Sequence, residues 1–416
     1  MAGVSRPARA RLAAALALAC VTIGCGGTDP ATEEAPSGSA TLTVYASLPV
    51  TGPSREPAQD VLDAIKLALL EARGQAGAFR VNFVGLNAAA PRSDAAWDHD
   101  QVLDNARRAV TDRNAIAYLG ELDSAASAIT LPLLNEAGVL QVSPTNTYAG
   151  LTRVEGARRG EPERFYPSGT RTYGRVVPAD HAQAAALVSY MAAVGVERLY
   201  VADDRGLSGH GLADLVVLAA REGGLEVVAE AAIDPRREDP RALARDVADS
   251  RADAFLFAGG AEAGAAALYR AVHAADPALK LFGGDRVAEP ALARRLDPAV
   301  AADLHLTSPG SGPGRQGPAA RRFAARFRDR FGRAPAPAAL YGYEAMQVVL
   351  QAIADAGPQG NDREAVIERF FAIRDRDSVV GRYSIDENGD TSLAGYAGQR
   401  IRRGRLVFDR PLPVPG

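Results

Sequence analysis

The chain has 416 residues, 47% of them hydrophobic and 23% charged, the composition of an ordinary folded globular protein. At a formal charge of −3 it carries no electrostatic footprint for nucleic acid, and its length predicts two domains or one large one. The basic residues are almost all arginine, set among abundant Ala and Gly, which reads as codon bias and not as an arginine-specific site.

In chain order, Arg6, Arg9 and Arg11 precede the apolar run LAAALALACVTIG (12–24), so residues 1–24 read as a secretory signal too short to span a membrane. Gly24-Cys25-Gly26-Gly27 and a polar stretch follow. A small residue, a cysteine and a polar tether resemble the bacterial lipoprotein signal, which implies lipidation of Cys25 and a flexible tether over 25–40. Both cysteines (Cys20 and Cys25) fall in this segment, so the body beyond it has no thiol or disulfide chemistry. Removing 1–24 takes three arginines and no acid, shifting the charge from −3 to −6. The expected product is exported and held at a membrane surface without crossing it.

From residue 41, apolar β-rich runs alternate with amphipathic helical stretches. TLTVYASL (41–48) precedes a helix over 60–72, where Val61, Ile65 and Leu69 form one apolar stripe. FRVNFVGL (79–86), IAYLG (116–120) and VLQVS (139–143) alternate with helices over 97–110 and 127–138. The strands are near-continuous apolar runs, as in parallel strands buried on both faces. Residues 150–172 are polar and rich in Gly, Pro and Arg, and read as a surface excursion. The alternation then resumes, with strands at 197–204, 225–233, 254–260, 279–285 and 303–309; three helical stretches and C-terminal hairpins follow. Two runs of βα units predict an α/β architecture with two parallel sheets, hence two lobes.

Ligands of open α/β sheets bind where strands end. The strand at 115–119 ends in Gly120-Glu121-Leu122-Asp123-Ser124, and a helix N-terminus beginning there suits a carboxylate. VLQVS ends in Ser143-Pro144-Thr145-Asn146-Thr147; a turn explains Pro and Asn but not the two threonines. The strand at 280–283 ends in Gly283-Gly284-Asp285, placing a carboxylate at a similar position in the second run. Donors on one lobe and an acid on the other complement a zwitterion.

The blocks LPVTGPSREPAQDVLDAIKLALLEA, YLGELDSAASAITLPLLNEAGVLQVSPTNT and DDRGLSGHGLADL resemble the solute-binding proteins of branched-chain amino acid ABC transporters. The resemblance runs over about 41–410 and implies a type I periplasmic-binding-protein fold: two Rossmann-like lobes with parallel central sheets joined by a three-crossover hinge. It implies lobe 1 over 41–177, lobe 2 over 178–306, a return to lobe 1 over 307–376 and C-terminal hairpins in lobe 2 over 377–416. Leu122, Asp123 and Ser124 match the segment that holds the ligand carboxylate. Thr145 and Thr147 match residues gripping the amino-acid main chain, and Asp285 the acid that pairs with the ammonium. Ser208 stands where many members carry a tyrosine, and Pro57 replaces an aromatic of some members, which leaves the ligand side chain open.

The expected function is capture of an amino acid, branched-chain or related, by an exported monomer that delivers it to an ABC permease and ATPase. A second reading keeps the fold as a sensing module of a receptor, binding an amide or small organic acid. No enzyme, cofactor or metal is expected. The five histidines (99, 181, 210, 273, 305) show no metal spacing. No nucleophile elbow or phosphate loop occurs. Asp386-Glu-Asn-Gly-Asp390 lacks the closing Glu of a calcium loop and reads as a hairpin turn.

Overall fold

A computed structural model of the chain describes residues 40–90, 95–261, 264–310, 312, 316–412 and 414. The expected signal over 1–24, Cys25 and the tether through 39 lie outside the described residues.

Six strands form the first sheet: β1 Thr41–Leu48, β2 Gln75–Ala76, β3 Phe79–Asn87, β4 Ala115–Leu119, β5 Leu140–Ser143 and β6 Tyr173–Arg175. Their order is β2-β3-β1-β4-β5-β6, parallel throughout except for the edge pair β2–β3. Helices α1 (Arg55–Glu71), α2 (His99–Thr111) and α3 (Ser124–Glu136) connect them. The second sheet contains β7 Arg198–Asp203, β8 Glu226–Ala232, β9 Ala254–Ala258, β10 Lys280–Gly283 and β11 Leu304–Pro309. Its helices are α4 (Asp180–Ala193), α5 (Leu207–Glu222), α6 (Pro240–Asp249), α7 (Ala265–Ala275), α8 (Pro290–Arg295) and α9 (Pro298–Asp303). Beyond these lie α10 (Pro318–Phe331), α11 (Pro337–Asp355), α12 (Arg363–Phe371), the short hairpin β12 Arg376–Ser378 and β13 Gly381–Tyr383, and the pair β14 Tyr396–Arg402 and β15 Arg405–Leu412. The second sheet runs β15-β14-β11-β10-β9-β7-β8. Strands β7 to β11 are parallel, and β14 and β15 extend the sheet antiparallel beyond β11. Both sheets are therefore mixed, with parallel cores.

Burial explains the strand sequences. β4 (AIAYL) and β9 (AFLFA) are buried at every position, because helices cover both faces. The stripe of α1 packs against α11 in the first core. Beside it, Arg333 donates to Asp60 at 2.8 Å and to Asp63 at 2.7 Å.

The chain crosses between sheets after β6, after β11 and after Ile385. Two expected boundaries move. All of β11 pairs in the second sheet, so that crossing follows Pro309 and not residue 306. The hairpin β12–β13 belongs with the first lobe: Tyr383 and Ile385 lie in its core, and the Tyr383 hydroxyl donates to Glu344 of α11 at 2.7 Å.

Three local expectations also change. α1 starts at Arg55 instead of residue 60, since Pro57 falls in the first turn, where its missing N–H costs no bond. α5 starts at Leu207 and carries Gly209 and Gly211 inside it. A Cβ on Gly211 would lie 2.4 Å from the Tyr148 ring, so the helix meets the first lobe too closely for a side chain. The 150–172 segment is not all surface: Leu151, Phe165 and Tyr166 bury with Leu131, Tyr148 and Tyr173.

Candidate functional site

Strand order reverses at β1 in the first sheet, between β3 and β4, and at β7 in the second, between β8 and β9. Such switch points open a crevice at the C-terminal strand edges. A cleft of about 210 Å³ lies there, lined from the first lobe by Pro49, Pro57, Trp97, Glu121, Leu122, Asp123 and Thr145, and from the second by Asp285, Arg286 and Glu289.

Hydrogen bonds fix the first-lobe wall. Asp123 caps α3, its carboxylate accepting from the Ala125 N–H at 2.8 Å. The first turn of α3 thus presents its N–H groups and positive dipole end at the cleft. Ser143 turns the loop after β5: its hydroxyl accepts from the N–H groups of Thr145 (3.2 Å) and Asn146 (3.0 Å) and donates to the Glu121 carbonyl. The Asn146 amide donates to the same carbonyl at 3.0 Å, and the Thr145 hydroxyl donates to the Leu122 carbonyl at 2.8 Å. The two strand ends are therefore one rigid unit. Leu122, Asp123 and Thr145 line the cleft, while Ser124 and Thr147 are buried outside its lining. Ser124 Oγ accepts from the Tyr148 N–H at 3.3 Å. Ser208 is buried in the first turn of α5, outside the cleft lining.

On the second lobe, Asp285 follows β10 and its N–H donates to Gln183 Oε1 at 3.2 Å. Asp180, the first residue of α4, sits beside the Thr147 hydroxyl, and its N–H donates to the Thr147 carbonyl at 2.8 Å. Among the described residues, Oδ1 of Asp285 and Oδ2 of Asp180 are shielded from solvent with no hydrogen-bond partner. Burial pushes both carboxyls up, Asp180 to about 7, with the Asp285 charge adding to it. Two buried carboxylate oxygens without donors are costly unless a ligand supplies them. Across the cleft mouth, Arg286 donates to Asp123 at 3.4 Å, linking the lobes.

Sequence reasoning missed three residues. Glu121 is buried, accepts from the Tyr118 and Ser47 hydroxyls at 2.6 and 2.9 Å, and is pushed up to about 8 by burial. An acid one glycine beyond an all-apolar strand was its available signal. Asp180 reads as an ordinary first-turn acid of a helix; only the fold brings it to Asp285. Trp97, the chain's single tryptophan, precedes α2 and lines the cleft.

The acidic turn at 386–390 is a structural tie. Asp390 accepts from Arg175 at 2.8 Å and Arg153 at 2.6 Å, Asp386 pairs with Arg153, and Asp386 N–H closes the turn onto the Asp390 carbonyl. His305 stacks on Phe282, pushed down to about 4 chiefly by burial. Among the described residues no cluster of three His, Cys, Asp or Glu could hold a metal, and no helix is long and apolar enough to cross a membrane.

A model of the periplasmic binding protein family matches residues 41–404, and the chain belongs to that family. It is 26% identical over 377 residues to Leu/Ile/Val-binding protein BraC3 of Rhizobium johnstonii, covering 90% of this chain and 95% of the relative. The fold is similar to that of the leucine binding protein LivK of Thermotoga maritima, with a TM-score of 0.75 at 24% identity, covering 89% of this chain and 98% of the other. It is also similar to a solute binding protein of an ABC transporter from R. palustris, solved in complex with benzoate, with a TM-score of 0.72 at 14% identity over 90% and 98% of the two chains.

Proposed function

We propose that the chain captures an α-amino acid in the interlobe cleft and delivers it to the permease of an ABC importer, without catalysis. One observation carries this reading: Asp285, which lines the cleft with Asp123 at the N-cap of α3, and Asp180 beside Asp285 each hold a buried oxygen with no hydrogen-bond partner. A primary ammonium supplies three N–H groups to the two acids, and the α-carboxylate meets the N–H groups near Asp123 and Ser124. Thr145 and Thr147 position the main chain, the latter beside Asp180, whose N–H donates to the Thr147 carbonyl. The cleft volume suits a molecule of amino-acid size. Closure about the three crossovers excludes water and strengthens these charged contacts.

The polar tether, with Cys25 lipidated, holds the protein at the outer face of a membrane, where it works as a monomer. The name of the BraC3 relative supports an amino-acid ligand. A thermal-shift screen against the twenty amino acids, short-chain amides, urea and benzoate tests the reading. Stabilisation by at least one amino acid is expected. Stabilisation by amides or benzoate alone would contradict it.

A further inference from the structure

Resting on the amino-acid reading, we propose that Tyr341 is a third acceptor of the ammonium seat, so that the cleft takes primary α-amino acids in preference to secondary ones.

The two acids leave the seat one contact short. A primary ammonium carries three N–H donors on tetrahedral axes, while Asp180 and Asp285 each offer one shielded oxygen without a partner. Tyr341 brings a third oxygen from the first lobe. It is part of the first core, with 6% of its surface exposed. Its hydroxyl makes no hydrogen bond among the described residues, a costly state for a buried polar group unless a ligand relieves it.

The second crossover holds that hydroxyl against the wall that carries the acids. Ala338, one turn earlier on α11, lines the cleft together with Asp285. A Cβ placed on Gly310, just past β11, would lie 3.5 Å from the Tyr341 hydroxyl oxygen. The Gly310 N–H donates to the Gly395 carbonyl at 2.8 Å, and Tyr396 pairs with Pro309. The Tyr396 hydroxyl accepts from Gln183 Nε2 at 3.3 Å, and Oε1 of the same amide accepts from the Asp285 N–H at 3.2 Å. Tyr396 also donates to the carbonyl of Pro178 at 3.3 Å, two residues before Asp180. Both acids and Tyr341 are thus tied to one small polar frame at the hinge, yet no two of the three unpartnered oxygens bond each other.

The character of the hydroxyl suits the role. Burial, with the Asp285 charge nearby, pushes it up, so it meets a ligand as a neutral group that accepts through a lone pair. An anion finds two acids here, and an aromatic acid brings no N–H. A secondary ammonium has lost one N–H to a methyl group or a ring, and leaves one of the three oxygens unpaired.

The test compares the purified protein with Tyr341→Phe, which keeps the ring in the core and removes only the hydroxyl. Both are titrated calorimetrically with the twenty L-amino acids, with the Nα-methyl derivative of each that binds, and with benzoate; the thermal midpoint of each empty protein is also measured. Amino acids that bind should weaken roughly five- to tenfold in the variant, and the preference for the primary over the Nα-methyl form should fall. The empty variant should be at least as stable as the parent, because it no longer buries an unpaired hydroxyl. Unchanged affinity, or an unchanged preference, would overturn Tyr341 as an acceptor and leave the amino-acid reading standing. A fall in affinity together with a fall in empty-state stability would mark the hydroxyl as structural and overturn it as well. Binding of benzoate with no amino acid would overturn both readings.

Discussion

The Arg175 guanidinium donates to Asp390 at 2.8 Å with both side chains buried, tying the end of β6 to the third crossover. The same guanidinium donates to the carbonyls of Asn146 (3.0 Å) and Tyr148 (2.8 Å). One fully buried arginine thus holds a hinge strand and the cleft loop 144–148 in a common frame. Arg153 gives Asp390 a second cation, and together they hold its carboxyl below the usual range despite its burial. Arg175→Met should destabilise the protein by about 3–5 kcal/mol, since a buried carboxylate loses its main partner. Chemical denaturation measures this. A change under about 1 kcal/mol, within the range of exposed pairs, would show that the tie is incidental.

Glu121 predicts a pH slope. Its carboxyl rises to about 8 through burial, so the fold holds a proton that the unfolded chain releases near pH 4.3. Stability from this group is therefore present below pH ~4.3 and is lost as pH climbs to about 8. Glu121→Gln removes the loss while keeping an oxygen for the Tyr118 and Ser47 hydroxyls. The variant should gain stability relative to the parent as pH rises through that window, by a few kcal/mol at most. Parallel stability curves for the two proteins would refute the assignment.

Ligand binding should be proton-linked in the same range. Burial raises Asp180 to about 7 and raises Asp285 beside it, and an ammonium favours their charged forms. Affinity should rise with pH from about 5 to 7 and level off above. Calorimetry in buffers of different ionisation enthalpy should show protons released on binding near pH 6. Proton uptake there would reverse the sign and exclude the acids as the ammonium seat.

Asp285→Ala should weaken an amino-acid ligand by more than roughly tenfold, because the ammonium then enters a buried site with one partner missing. Asp180→Ala should do likewise, and the double variant should lose less than the sum, since both acids meet one group. Strict additivity would mean that they act on separate parts of the ligand.

Much of this was legible in sequence because parallel strands announce themselves. Continuous apolar runs separated by amphipathic helices gave both sheets, and the strand-end rule led to Leu122, Asp123, Thr145 and Asp285, all of which line the cleft. The rest depended on distance in three dimensions. Ser208 carries a hydroxyl at a matching position, yet it is buried outside the cleft lining. Asp180 looks like a helix first-turn acid, and nothing local says that the crossover carries it to Asp285. Tyr383 reads as part of a C-terminal hairpin, and only Glu344, distant in sequence, draws it into the first core. The closing antiparallel strands were expected as hairpins, but their attachment to β11 is a tertiary pairing with no local signature.

The most direct test of the account compares each amino acid that binds with its Nα-acetyl derivative by calorimetric titration. Acetylation removes the α-ammonium and leaves the carboxylate and side chain in place. If Asp285 and Asp180 seat the ammonium, the acetylated ligand should lose at least roughly a hundredfold in affinity, as expected when buried carboxylates are left unpaired. Equal binding of the two forms would contradict the central claim.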